Sequence, residues 1–317
     1  LMFLSMAILL FNLKNKDRFI SLVISIISSV EVYAVLSEAL EMINSTGVIS
    51  PGTLKGVTAN RNITAFSIAI KIPFVLYLVG LLKKKSFKIL VTTLIFLALL
   101  SLSIIQSRAS FIGVGLITIG YSAMQTLIYF RYTKNTKTLL SIGYILIPLL
   151  LAIIVNQTVI ASKGADALSR AATISLSTND GSVNQRLRYY QDVLTHISSN
   201  PIFGTGLGNW KLKSIDYDKN DINGYVVPYH AHSDFIQLGA ELGIIGFLLY
   251  LGVFLWAVYY VFIIIRYSKS SIEEKTFVFL LLVALGVYSV DANLNFPIAR
   301  PQVLVVWTAI MALIVTY

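Results

Sequence analysis

The chain has 317 residues, of which 56% are hydrophobic and 13% charged, with 25 Lys and Arg, 15 Asp and Glu, and no cysteine. Soluble domains average about 45–50% apolar and about 25% charged residues, so a water-soluble globular fold is excluded, and with no Cys so are disulfides and thiolate metal sites. The net charge of +10 would suit nucleic acid, but four short segments, 14–18, 83–88, 131–137 and 266–275, hold 13 of the bases and three of the acids and account for the whole excess. Basic residues gathered in short linkers are the positive-inside pattern of a polytopic membrane protein, and no nucleic-acid partner is needed.

Nine apolar spans are predicted, at about 1–13, 19–39, 63–82, 89–107, 109–130, 138–160, 234–265, 276–291 and 301–317. Most approach the ~20 residues that cross a bilayer as a helix. Alternation places all four basic linkers on the cytoplasmic side, and 40–62, 161–233, 292–300 and the turn at Arg108 on the other. The expected fold class is an all-α polytopic membrane protein of about nine transmembrane helices with a large, partly helical periplasmic loop. Its regions are N-terminal transmembrane helices over 1–160, an extracytoplasmic loop with the candidate site residues over 161–233, and C-terminal transmembrane helices over 234–317. Leu1 already lies in an apolar run, so the chain is expected to be a fragment with upstream helices outside it.

In chain order, Asn60 and Asn62 precede the third span, where Asn serves as an ordinary helix cap or lines a substrate surface. Lys71 falls mid-span beside Pro73. A lysine at that depth marks a paired or functional site, here next to a proline kink and facing a cavity, unless it snorkels. Arg108 sits between two spans on the outer side, where positive-inside bias gives no reason for a cation. Phosphate contact is favoured there over interfacial anchoring.

The long outer loop contains a predicted amphipathic helix, Gln185–Ser198, with Leu187, Tyr190, Val193, Leu194 and Ile197 on its apolar face. Asn200-Pro201 ends it, and Gly204, Gly206 and Gly208 follow. No strand precedes them and no Lys-Ser/Thr stands directly after a glycine as a P-loop requires, so a nucleotide-binding loop is not indicated. Arg186 and Arg188 point about 200° apart on a helix. Arg186 is taken as ligand-facing and Arg188 as the surface partner of Asp192. His230-x-His232 lacks a third metal ligand. His232 is read as a general base, its ordinary pKa lying near neutrality, and His230 as a helix cap. Nothing in the sequence separates His196 from a surface residue.

Taken together these segments resemble the O-antigen ligase and polymerase superfamily of bacterial envelope glycosyltransferases. The resemblance rests on Ala59-Asn60-Arg61-Asn62, Ser107-Arg108-Ala109, Arg186-Leu187-Arg188-Tyr189-Tyr190, Asn200-Pro201-Ile202-Phe203-Gly204-Thr205-Gly206, His232-Ser233 and Gly243-Ile244-Ile245-Gly246, in that order. Tyr190 stands where a tryptophan is common and Ala59 where a glycine is, and the family's usual twelve or so spans would leave about three outside this chain. The resemblance implies an inverting, metal-independent transfer with no cofactor, from an undecaprenyl-diphosphate-linked glycan to lipid A-core or another glycan or protein acceptor. It implies a multi-pass protein of the bacterial inner membrane with its active site on the periplasmic side. Arg108, Arg186 and His232 take the catalytic roles, and Arg188, Lys71, Asn60, Asn62 and His230 remain candidate substrate contacts. A polysaccharide polymerase and a protein O-oligosaccharyltransferase are the alternatives within the superfamily. Outside it stands a polysaccharide transporter, whose inverted repeats the chain does not display.

Overall fold

The computed structural model describes residues 1–174, 181–219 and 229–317. The expected extracytoplasmic loop, 161–233, therefore falls partly outside the described residues. Among those described, all regular structure is helical: α1 (Met2–Asn12), α2 (Lys16–Thr46), α3 (Arg61–Ala69), α4 (Ile72–Leu81), α5 (Lys85–Ile105), α6 (Arg108–Ile128), α7 (Thr136–Leu140), α8 (Gly143–Val155), α9 (Ala167–Ala172), α10 (Gly181–Ser199), α11 (Trp210–Asp218), α12 (Asp234–Tyr267), α13 (Ile272–Leu294) and α14 (Pro301–Val315). Among the described residues seven stretches are long and apolar enough to cross a membrane, with α3–α4 and the helical run Thr136–Lys163 each counting once, and α1 and α14 are shorter apolar helices. The protein is a multi-pass, all-helical membrane protein.

Two compact units divide the chain: Leu1–Ile174 with Tyr260–Tyr288 and Gln302–Tyr317, and Ser175–Tyr259 with Ser289–Pro301. In the first, the basic linkers gather at one end. Arg18 pairs with Glu273 at 3.3 Å, Lys275 lies 6.0 Å from the Tyr132 ring, and Lys16 Nζ donates to the Thr316 carbonyl. The other connections meet away from that basic end: the Ile49 N–H donates to the Lys163 carbonyl at 2.6 Å, and Arg170 Nε to the Gln106 carbonyl. Segregating the basic linkers from the other connections is what the positive-inside pattern requires of consecutive spans.

Helix α2 runs past the predicted span to Thr46 and stops at Gly47, whose backbone is left-handed (φ 75°). Near the end of the predicted span, the Glu38 carboxylate holds the next connection, accepting the N–H groups of Lys55 and Gly56 at 2.9–3.1 Å. Asn60 Oδ1 then caps α3, accepting from the N–H groups of Asn62 and Ile63. Pro73 has no N–H to continue the helical ladder, and the rod breaks at Ile70–Lys71 before resuming as α4.

At that break Lys71 does not open onto a cavity. Its side chain is 1% exposed and lies 2.9–3.0 Å from both carboxylate oxygens of Glu31. The Ser67 carbonyl and hydroxyl complete its coordination at 2.6 and 2.7 Å. All three ammonium donors are thus satisfied inside the first unit. Removing one member strands a buried charge, at a cost of about 3–5 kcal/mol, whereas removing both is far milder. Lys71→Met alone should therefore lower the thermal unfolding midpoint in detergent sharply, and adding Glu31→Met should recover most of the loss. Equal midpoints for the single and double variants would contradict this pairing.

Candidate active site

In the second unit, α10 turns at Asn200-Pro201 into a glycine-rich segment that leads to α11. Val193 on α10, Trp210 on α11, and Ala231 and Ala240 around the start of α12 form a buried cluster, with Ile197, Tyr217 and Ile236 against it. The buried face of α10 is accordingly Tyr189, Val193 and His196, while Leu187 and Leu194 are about half exposed. This corrects the predicted apolar face. It also moves His196 off the surface: its ring packs on Trp210 and Tyr217, and Nδ1 lies 3.0 Å from the Tyr217 hydroxyl. A polar partner waiting in the pocket let an imidazole take a position that periodicity reserves for an aliphatic side chain.

The glycine segment is a backbone-docking element. Within α12 the residue Gly243 is non-helical (φ 68°, ψ −168°). The break frees an N–H at Ile244 and the carbonyls of Ala240 and Glu241 from their helical partners. The segment takes up all three. Ile244 N–H donates to the Pro201 carbonyl at 2.8 Å, and the N–H groups of Thr205 and Gly206 donate to Ala240 and Glu241 at 3.1 and 2.7 Å. A Cβ on Gly204 would run into the backbone of Ala240 and Glu241, and one on Gly243 into the Ile202 carbonyl.

The Glu241 carboxylate extends the junction. It accepts from the N–H groups of Gly208 and Trp210, at the N-terminus of α11, and from Gln237 Nε2. Gln237 Oε1 in turn accepts the Ala231 N–H at 3.0 Å. That last bond fixes the residue before His232.

His232 occupies the left-handed region at φ 57°, a conformation that costs a β-carbon-bearing residue roughly 1–2 kcal/mol and concentrates at functional sites. The Tyr190 hydroxyl donates to the carbonyls of His232 (3.1 Å) and Asn293 (2.7 Å), holding the turn from outside. The imidazole stacks on Tyr189 (centroids 5.9 Å, interplanar 13°) and meets Phe296 edge-on (5.2 Å, 77°). Its Nδ1 is buried and has no hydrogen-bond partner among the described residues. Burial first, then the Arg186 guanidinium and the neighbouring His230, push its pKa down to about 4, against a hydrogen bond with the Leu294 backbone. The ring is therefore neutral at physiological pH, with a nitrogen available to take a proton.

Arg186 also opposes the rise that burial imposes on the Tyr190 hydroxyl, so its charge falls on both His232 and its anchor. Arg188 lies 5.4 Å from the Tyr189 ring. His230 stacks flat on Phe296 at 4.1 Å, and burial followed by the Arg300 charge lowers its pKa, against a hydrogen bond with Gln237. The second unit thus holds Arg186, Arg188, His230 and His232. Arg108, Lys71, Asn60 and Asn62 belong to the first, where Arg108 donates to the Thr173 carbonyl at 3.3 Å. Among the described residues no group of three or more His, Cys, Asp or Glu is arranged to hold a metal ion. Sequence reasoning passed over Phe296, Arg300, Gln237 and Glu241. For Arg300 the signal was present, since the sequence reading puts it, like Arg108, among the segments opposite the basic linkers.

The O-antigen ligase family matches residues 93–251, a stretch that holds Arg108, both arginines of α10, the docking junction and His232. The chain belongs to that family of envelope glycan ligases. A Rickettsia conorii protein that carries the provisional name polysaccharide ligase is 36% identical over 102 residues, covering 30% of this chain and 22% of that protein.

The junction makes a sharp contrast between glycines. Gly243→Ala places its methyl on the docked backbone and should abolish monodisperse folded protein in fluorescence-detected size-exclusion. Gly208 also has positive φ (77°) but open space around a Cβ, so Gly208→Ala should cost only the roughly 1–2 kcal/mol of the left-handed conformation and remain monodisperse. Folded Gly243→Ala protein would disprove the docking argument.

Proposed function

We propose that the chain carries the active site of a membrane glycosyltransferase. The enzyme moves a glycan from an undecaprenyl-diphosphate-linked donor to an acceptor hydroxyl, with inversion and without a metal, on the periplasmic face of the bacterial inner membrane. The observation that carries this reading is His232: a neutral imidazole on a strained backbone, its Nδ1 unpartnered, with Arg186 close enough to depress its pKa. Membership of the O-antigen ligase family supports it.

In this mechanism His232 Nδ1 takes the proton of the acceptor hydroxyl as that oxygen attacks the anomeric carbon. The bond from that carbon to the donor phosphate oxygen breaks, and the electron pair leaves with undecaprenyl diphosphate. Attack opposite the leaving group inverts the centre. Arg186 meets the charge that develops on the departing diphosphate, a task for which a guanidinium in a water-poor site is well suited. The proton held on His232 passes to the diphosphate or to solvent.

The same pair explains how a base with so low a pKa works near neutrality. Before substrate arrives, burial first and the Arg186 charge second keep protons off His232. A bound diphosphate cancels that charge and raises the proton affinity of the ring where the proton is to be taken. Donor binding prepares its own base.

Arg186→Gln and His232→Gln should each remove glycan transfer in a reconstituted assay offering lipid A-core, lipid-linked repeat and protein acceptors in parallel. Expression and membrane insertion should be unchanged, and the acceptor that yields product names the subclass. Transfer at wild-type rates by both variants would refute the assignment. In an NMR titration the free His232 ring should show a midpoint far below 6.5, moving upward in Arg186→Gln and on addition of undecaprenyl diphosphate. Since the folded value lies below the ordinary histidine value, the unfolded chain binds the extra proton between about pH 6.5 and 4. The stability this residue contributes is therefore complete above that window and lost as pH falls through it.

A further inference from the structure

The connection before α14 holds a cation that the mechanism above does not use. Arg300 is partly buried, and its guanidinium lies over the Phe296 ring with its carbon 4.6 Å from the centroid. Phe296 lies flat on His230 and edge-on to His232. Arg300 Nε is buried and makes no hydrogen bond, and no carboxylate pairs with the side chain among the described residues. The backbone beneath is held firmly. Arg300 N–H donates to the Pro297 carbonyl at 3.0 Å, and Ile298 N–H donates to the Asp234 carboxylate at 3.0 Å, tying the turn to the first residue of α12. Asn295 Nδ2 donates to Asp291 at 2.8 Å on the other side of Phe296.

Holding a guanidinium partly out of water with no anion beside it is unfavourable. The positive-inside bias does not account for it, because the connection falls among the outer segments. Stacking on an aromatic face has a specific effect on such a group: it fixes the plane and leaves the N–H donors projecting from its edge. A planar fork of that kind suits two oxygens of a phosphate. The platform that aims it is shared with the histidine pair, since Phe296 touches both rings.

We propose that Arg300, aimed by the Phe296–His230 stack, is a second phosphate ligand of the site, binding the diphosphate of the lipid-linked donor together with Arg186. The assignment rests on the reading of the donor given above. It makes His230 a positioning residue, acting through Phe296.

The test is direct binding to the purified protein in nanodiscs, with undecaprenyl diphosphate and undecaprenyl monophosphate as probes. Arg300→Gln should weaken diphosphate binding about tenfold or more, the loss expected for a pair of charge-assisted hydrogen bonds, with a smaller effect on the monophosphate. Arg300→Lys should recover only part of the loss, because an ammonium cannot form the two-pronged contact. Phe296→Leu, which keeps the guanidinium and removes its platform, should also weaken diphosphate binding selectively. Wild-type affinity in Arg300→Gln, or an equal loss for both probes, overturns the role of Arg300 and leaves the donor reading standing. Should Arg300→Gln not fold, Arg300→Lys decides, and full wild-type affinity there overturns the proposal. A wild-type protein that binds no undecaprenyl diphosphate removes both readings.

Discussion

The second unit depends on one break in one helix. At Gly243 the backbone of α12 leaves the helical path, and the peptide groups this frees are taken up by the Pro201–Gly206 segment rather than by water. Two glycine motifs separated by about forty positions are therefore two halves of one joint. Each glycine at the contact is needed because the opposing main chain occupies the space a methyl would fill. From the joint the Glu241 carboxylate and the Gln237 amide carry the constraint to the N-terminus of α11 and to the residue before His232. The strained turn at His232 persists because it is held from the Gln237 side and from the Tyr190 hydroxyl.

Electrostatically the site runs against the ordinary preferences of its parts. A histidine is kept neutral beside one guanidinium, another guanidinium lies over a ring with no carboxylate partner among the described residues, and the aromatic rings of Tyr189 and Phe296 wall the imidazoles from water. Each cationic feature costs stability in the fold. Under the proposed function, a phosphate-bearing ligand bound by Arg186 and Arg300 relieves both guanidinium groups. Preorganised charge of this kind is a main source of transition-state stabilisation.

Much of this was legible in the sequence, and the rest was hidden for identifiable reasons. The spans and basic linkers could be read because a bilayer imposes length and charge rules stronger than local propensity. Helix α2 outran its prediction because residues 40–46 mix polar and apolar side chains and so carry no continuous apolar signature. The partner of Lys71 could not be read, since forty residues separate it from Glu31 and only packing joins them. Asn60 could be recognised as a cap from composition alone. The glycine cluster announced a tight backbone path, but nothing in its spacing says that another glycine motif is what it meets. His196 and Arg300 were misjudged or passed over because their partners, Tyr217 and Phe296, come from distant parts of the chain.

The Lys71–Glu31 pair also bears on how the protein is made. The carboxylate belongs to α2 and the ammonium to the break after α3, so neither helix can rest alone in hydrocarbon without an uncompensated charge. Release of each segment into lipid as it emerges would leave Glu31 exposed until synthesis had advanced another forty positions. The less costly course is for α2 to wait at the insertion machinery and to enter the bilayer with α3–α4 as one neutral hairpin. The pair thus favours entry of α2 together with α3–α4 over entry one by one, where Glu31 would have to be protonated to rest in hydrocarbon alone.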